Sequence, residues 1–281
     1  MKTGVIIQAR MSSTRLPGKV AKELPYGGGI TVLEQVVRRM KKCSLADEVI
    51  VATTTGRDDD LVVRLARKAG AKTFRGSRED VLARYYGAAG KYRLDTVVRI
   101  TSDCPCADPA LVDSLLRLHA RRGADYTANV VKLTYPDGFD AEVFSFAALQ
   151  RAHRQGRTRP EREHVTFYIR SRPAEFKIAS LQAPAGQRRP DLRVTLDTPD
   201  DYLLLCAVYD NLYARGGTFG FAEVMDLFLR KPWLEEINRR SAAKKVTATQ
   251  SDEVREALRV LKLQELHRAA ALLAAKAGKK R

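Results

Sequence analysis

Cysteine is scarce in this chain of 281 residues. Cys43, Cys104, Cys106 and Cys206 are the only four, and their spacing fits neither a disulfide framework nor zinc ligation. No apolar run approaches the roughly 18 residues that a membrane-spanning helix needs. The N-terminus, MKTGVIIQAR, meets an arginine after a few apolar residues, too soon for the apolar core of a signal peptide. These absences exclude a secreted disulfide scaffold, a zinc protein and a helical membrane protein, and a cytoplasmic location is expected. Tryptophan occurs once, and neither RNA-recognition aromatics nor zinc-finger spacing is found. Acidic residues are also in short supply, 33 against 50 Lys and Arg, which leaves a net charge of +17. Such an excess points to a polyanionic partner or an anionic substrate. Residues 241–281 hold ten basic and four acidic residues, and the first 240 hold 40 and 29, so the basicity is spread along the chain. Without a nucleic-acid motif to focus it, nucleic acid is not the expected main partner.

What is present is an ordinary globular composition, 44% hydrophobic and 30% charged. At this length a large core can form without metal or disulfide support. Through the first 130 residues, short apolar strands alternate with amphipathic helices. Strands are expected at 4–9, 48–54, 72–77 and 95–101, with helices at 30–43, 58–70, 80–92 and 109–123. The alternation predicts a mostly parallel central sheet with helices on both faces, whose ligands bind beyond the carboxyl ends of the strands. Asp58–Asp60 opens the second helix and reads as a solvated cap. After residue 130 the pattern predicts a turn and strand within 135–146, then helices at 147–156, 160–173, 197–213 and 221–232. Further strands are expected at 176–183 and 192–197. The chain divides into a domain over 1–240 and a basic, helical appendage over 241–281 that ends in Lys279, Lys280 and Arg281.

The chemistry concentrates where these strands end. RMSSTRLPGK, directly after the first strand, packs Arg10, Arg15 and Lys19 with Ser12, Ser13, Thr14 and Gly18 into ten residues. Small-residue amides, hydroxyls and three cations make a receptor for a phosphate chain. The Walker pattern is absent, because Val20 follows Lys19. TSDCPCADP follows the fourth strand, and Asp103 at that strand end suits Mg²⁺, which takes one or two protein carboxylates plus phosphate oxygens. Asp108, before Pro109, suits a helix cap. Asp197 ends LRVTLD and is either a second metal ligand or the cap of the next helix; Asp200 and Asp201 belong to that helix's first turn. Cys104 and Cys106 are expected to be buried, inert thiols.

Six blocks in order, IIQARMSSTRLPGK, FRGSREDVLARYY, VRITSDCPCADP, YPDGFDAEVFSF, EREHVTFYI and VTLDTPDDY, resemble the cytidylyltransferase family typified by the spore-coat polysaccharide protein SpsF. That family is similar to CMP-Kdo synthetase and acylneuraminate cytidylyltransferase. The resemblance covers about residues 3–213 and departs from the usual aliphatic residue at Cys106. It implies a nucleotidyltransferase fold like that of A-type glycosyltransferases. The implied reaction moves CMP from CTP to a sugar hydroxyl, with an acidic sugar favoured, and releases pyrophosphate, with Mg²⁺ on Asp103 and Asp197.

By the same resemblance Arg15, Lys19 and Asp103 are the catalytic set, with Arg10, Ser12 and Ser13 beside them on the triphosphate. Gly76, Ser77 and Asp80 hold the base or ribose, although Ser77 serves equally well as a helix cap. Asp137, Asp140, Glu142, Arg162, Glu163 and His164 fall near the acceptor and near a homodimer contact. His164 is either a base or a packing residue. Two other readings stand beside this one. One is a glycosyltransferase of the same fold that consumes a nucleotide sugar, and the other is a non-catalytic binder of polyanions.

Overall fold

The computed structural model describes residues 1–214, 218–241 and 250–278. Among them seven strands form one sheet: β1 (Thr3–Gln8), β2 (Glu48–Thr54), β3 (Lys72–Gly76), β4 (Thr96–Thr101), β5 (Tyr126–Ala128), β6 (Glu142–Ser145) and β7 (Ile178–Ser180). Their order is β3-β2-β1-β4-β6-β5-β7. The first four strands run parallel to one another, β6 runs antiparallel to β4 and β5, and β7 pairs parallel with β5. The helices in chain order are α1 (Val32–Met40), α2 (Asp60–Lys68), α3 (Val81–Lys91), α4 (Pro109–Arg122), α5 (Phe146–Gln155), α6 (Arg159–Glu163) and α7 (Phe167–Arg170). They continue with α8 (Pro199–Leu212), α9 (Phe221–Arg230), α10 (Gln250–Leu263) and α11 (His267–Gly278).

Side chains alternate across a strand, so β1 feeds two cores. Val5 and Ile7 pack with Val36 and Met40 of α1, Val62 of α2 and Leu115 of α4. Ile6 packs on the other face with Leu82 and Tyr85 of α3 and Leu149 of α5. All three β1 residues are fully buried, and each contributes about 2 kcal/mol by leaving water. A one-residue slip in register would exchange the two faces, and both are apolar because helices cover both.

A third core lies around α8 and α9. There Val194, Leu196, Leu204, Phe221 and Phe228 meet Leu16 and Leu24 from the segment after β1, and Phe139 from the segment before β6. This cluster ties three loops at the carboxyl ends of the strands to one support.

The expected strand at 192–197 is instead an extended segment outside the sheet, joined by a single parallel bridge between Arg193 and Asp137. Its Val194 amide donates to the Asp137 carbonyl at 2.7 Å, and its Leu196 amide donates to the Asp103 carbonyl at 2.8 Å. Those bonds hold it against the loops and leave no partner strand to extend. The helix expected over 160–173 breaks into α6 and α7, because His164 departs from helical geometry at φ −107° and ψ 70°. Strand β5 was not foreseen. It is three residues long, too short for a periodicity to show.

Compact units form over residues 1–237 and 238–281. The second unit contains α10 and α11, separated by Glu265 in the left-handed region at φ 59°. Lys279, Lys280 and Arg281, the expected basic end, lie outside the described residues.

Candidate active site

The loop after β1 is closed from within. The Gly18 amide donates to the Met11 carbonyl at 3.3 Å, and Gly18 adopts φ 66°, a conformation that glycine enters without steric cost. The loop is anchored by Asp59, whose Oδ1 accepts the Met11 amide at 2.7 Å. The other oxygen of Asp59 accepts the Thr54 amide at 3.2 Å and the Thr54 hydroxyl. Asp59 is therefore buried and bonded, not the solvated cap expected from its place at a helix start. Burial alone would raise its carboxyl, but the bonds from Thr54 and Met11 hold it below its usual value.

Lys19 opens the short 3-10 turn after this loop. Its Nζ donates to Asp103 Oδ2 at 2.7 Å, to Asp197 Oδ1 at 2.8 Å and to the Leu196 carbonyl at 2.9 Å. All three ammonium hydrogens are thus engaged. Burial opposes both charges, and their mutual attraction overrides it, so Lys19 is raised and Asp103 lowered from their ordinary values. Arg15 reaches Asp197 Oδ2 at 2.8 Å. The alternative role of Asp197 as a cap is taken by its neighbour: the Thr198 side chain caps α8 and accepts the Asp201 amide.

Arg193 was not anticipated, and it joins the acids of this end. Its guanidinium contacts Asp137 Oδ2 at 2.8 Å, Asp197 Oδ2 at 3.1 Å and Asp201 Oδ2 at 3.0 Å. Asp201 is fully buried and also accepts the amides of Asp197 and Thr198. The signal was present in the sequence: Arg193, Thr195 and Asp197 share one face of an extended segment at a period of two. Asp140 is half-buried nearby. Burial, with the charges of Asp137 and Glu142, pushes its carboxyl up to about 7. Asp137 is raised as well, by burial against the pull of Arg193.

The structure therefore brings Arg15, Lys19, Asp103, Asp137 and Asp197 into one cluster of ion pairs. Arg10 and Ser12 are exposed and Ser13 half-buried on the same loop. Gly76 ends β3, and the Ser77 Oγ accepts the Asp80 amide at 3.0 Å. Asp80, rather than Ser77, caps α3. Arg162 does not join the acidic turn; it pairs with Asp80, with its Nε 2.9 Å from Oδ2. Glu142 points into the sheet, where Arg99, the Tyr126 hydroxyl at 2.6 Å and the Thr166 hydroxyl at 2.5 Å hold it. Glu163 lies near Arg159 at 3.8 Å, and His164 ends α6. Cys104 and Cys106 are buried, and burial pushes both thiols up, so neither forms a thiolate readily.

Asp103 after β4 and Asp197 at the end of the extended segment 192–197 converge on one cation beside a basic loop, on a mostly parallel sheet with the fold of a nucleotidyltransferase. The chain belongs to the cytidylyltransferase family, whose profile matches residues 4–239. It is an enzyme that transfers a cytidylyl group from CTP. It is 35% identical over 232 residues to the spore coat polysaccharide biosynthesis protein SpsF of Bacillus subtilis, covering 81% of this chain and 94% of that one. It is 30% identical over 234 residues to the 3-deoxy-manno-octulosonate cytidylyltransferase of Anaeromyxobacter dehalogenans, covering 70% and 93%. A solved cytidylyltransferase of Leptospira borgpetersenii superposes with a TM-score of 0.78 at 31% identity, covering 87% of this chain and all of the other. Among the described residues, no helix is long and apolar enough to cross a membrane.

Proposed function

We propose that the enzyme transfers CMP to the hydroxyl of a sugar, an acidic one in first place, in the synthesis of a surface polysaccharide or glycan. The acceptor oxygen attacks the α-phosphorus of CTP and pyrophosphate leaves. The observation that carries this reading is the convergence of Asp103 and Asp197 on a single cation, 2.7 and 2.8 Å from Lys19 Nζ. Two hard oxygen donors around one positive position fit Mg²⁺. Among the described residues no group of three or more His, Cys, Asp or Glu could hold a metal ion. The two aspartates would therefore share the ion with phosphate oxygens. Bound there, Mg²⁺ would neutralise charge developing on the phosphates.

The residues of the chain supply position and charge. Arg10, Arg15 and Lys19 offset the triphosphate, and the amides and hydroxyls of Ser12 and Ser13 orient it. Gly76, Ser77 and Asp80 take the nucleoside, with Arg162 bracing Asp80. Asp137 and Asp140 take the acceptor hydroxyls, and Glu163 and His164 belong to the acceptor side by the same family resemblance. Glu142 is occupied within the sheet and acts, in this reading, as support for Arg99 and Tyr126. A homodimer belongs to the same proposal and is checked by light scattering.

The relative named for 3-deoxy-manno-octulosonate supports an acid as acceptor, and the relative named for spore coat polysaccharide supports the pathway class. The test is pyrophosphate release from CTP and Mg²⁺ across acidic, neutral and amino sugars. Turnover confined to neutral or amino compounds would overturn the sugar-acid assignment.

A further inference from the structure

We infer that Lys19 makes the site selective for the metal–nucleotide complex over free metal, by occupying the metal position until a triphosphate draws it away. This rests on the reading of the site given above. The ammonium already spends its three hydrogens on Asp103 Oδ2, Asp197 Oδ1 and the Leu196 carbonyl. A divalent ion bound by the same two oxygens would lie against that ammonium, and like charges cannot share those lone pairs. Lys19 must therefore leave for the ion to enter.

Where it can go decides the selectivity. The Lys19 side chain is 12% exposed, so little water is at hand to receive it. The other carboxylate oxygen of Asp197 is already claimed, by Arg15 at 2.8 Å and Arg193 at 3.1 Å. Free metal would thus strand a largely buried cation, at a cost that opposes binding. A triphosphate removes the cost, because its oxygens accept the ammonium in place of the carboxylates. The flexible four-carbon stem of lysine lets Nζ make this exchange from a fixed backbone. Metal and nucleotide then bind as a coupled pair, each tightening the other, with Lys19 as the group that links them.

The test uses the full chain, Mn²⁺ followed by electron paramagnetic resonance, and the non-hydrolysable α,β-methylene analogue of CTP. Wild type should bind Mn²⁺ alone weakly, and Lys19→Met should bind it about tenfold tighter or more without nucleotide. The factor by which the analogue tightens Mn²⁺ should shrink correspondingly in the variant. Adding Asp103→Asn to Lys19→Met should abolish the gain, which places the ion at these carboxylates. Should Lys19→Met fail to fold, Lys19→Gln carries the same comparison. Wild type alone gives an independent reading: the side-chain ¹⁵N resonance of Lys19 should shift with Mg²⁺ and analogue together, not with Mg²⁺ alone. Equal Mn²⁺ affinity in wild type and variants, or a shift with Mg²⁺ alone, overturns the inference. Analogue binding with coupling untouched by the substitution overturns it while sparing the proposed function. A protein that ignores the analogue altogether overturns both.

Discussion

Asp103→Asn keeps the shape of its side chain and removes the charge that faces Lys19 and the proposed metal. Pyrophosphate release should fall by about two orders of magnitude or more, because charge stabilisation supplies much of the rate in phosphoryl chemistry. Activity within a few-fold of wild type would make Asp103 a structural residue. Arg193→Met has a different signature. It removes the guanidinium that pairs with the fully buried Asp201. Breaking a buried pair in this way costs about 3–5 kcal/mol, and urea denaturation should show it. Asp140 supplies a pH test. Its carboxyl is pushed up to about 7 by burial beside Asp137 and Glu142, so folding favours the protonated form. That contribution is complete below the unfolded value near 4 and is lost as pH rises through about 7. Asp140→Asn stays neutral throughout, so its melting temperature without ligands should gain on wild type between about pH 4 and pH 8. A constant difference across that range would refute the assignment.

Elements determine where those residues stand. The loop after β1 owes its place to a carboxylate on another element: Asp59 accepts Met11 N at 2.7 Å, and it also holds the end of β2 through Thr54. Asp59→Ala removes all three bonds and leaves the Met11 and Thr54 amides without this acceptor, a loss of about 1–3 kcal/mol. Because the loop carries Arg15 and Lys19, KM for CTP should rise together with the fall in melting temperature. An unchanged KM would show that the loop keeps its form without this anchor. Strands β1 to β4 were readable from their apolar runs, and helices α1 to α4 from their periodicity, because burial on both faces of a sheet leaves a plain pattern. The segment 192–197 carries the same pattern for another reason. Leu192, Val194 and Leu196 point into the third core, whereas Arg193 and Asp197 face the site. Alternation reports which residues are buried and does not say that a neighbouring strand exists.

At the scale of the whole molecule, the three apolar cores found among the described residues lie within residues 1–237. A chain ending at residue 237 should therefore fold and release pyrophosphate from CTP at a rate near that of the full protein, as melting and kinetics would show. Loss of folding in that fragment would give the last 44 residues a structural role. The sequence by itself determined the sheet class, the basic loop after the first strand and Asp103 at the end of the fourth, because each is written in adjacent residues; it set Asp197 at a strand end too, and that segment lies outside the sheet. It placed Glu142 and Arg162 beside the acceptor by their position in a block. Only the tertiary structure showed that Glu142 turns into the sheet to Arg99 and that Arg162 crosses 82 residues of chain to Asp80. Arg193 joining Asp137, Asp197 and Asp201, Asp59 gripping a loop 48 residues away, and Lys19 seated between two aspartates were decided in the same way. A charge pairs with whatever carboxylate or cation the packed elements bring within reach. Periodicity along the chain records which face of an element is apolar, and it holds no record of which distant residue that face will meet.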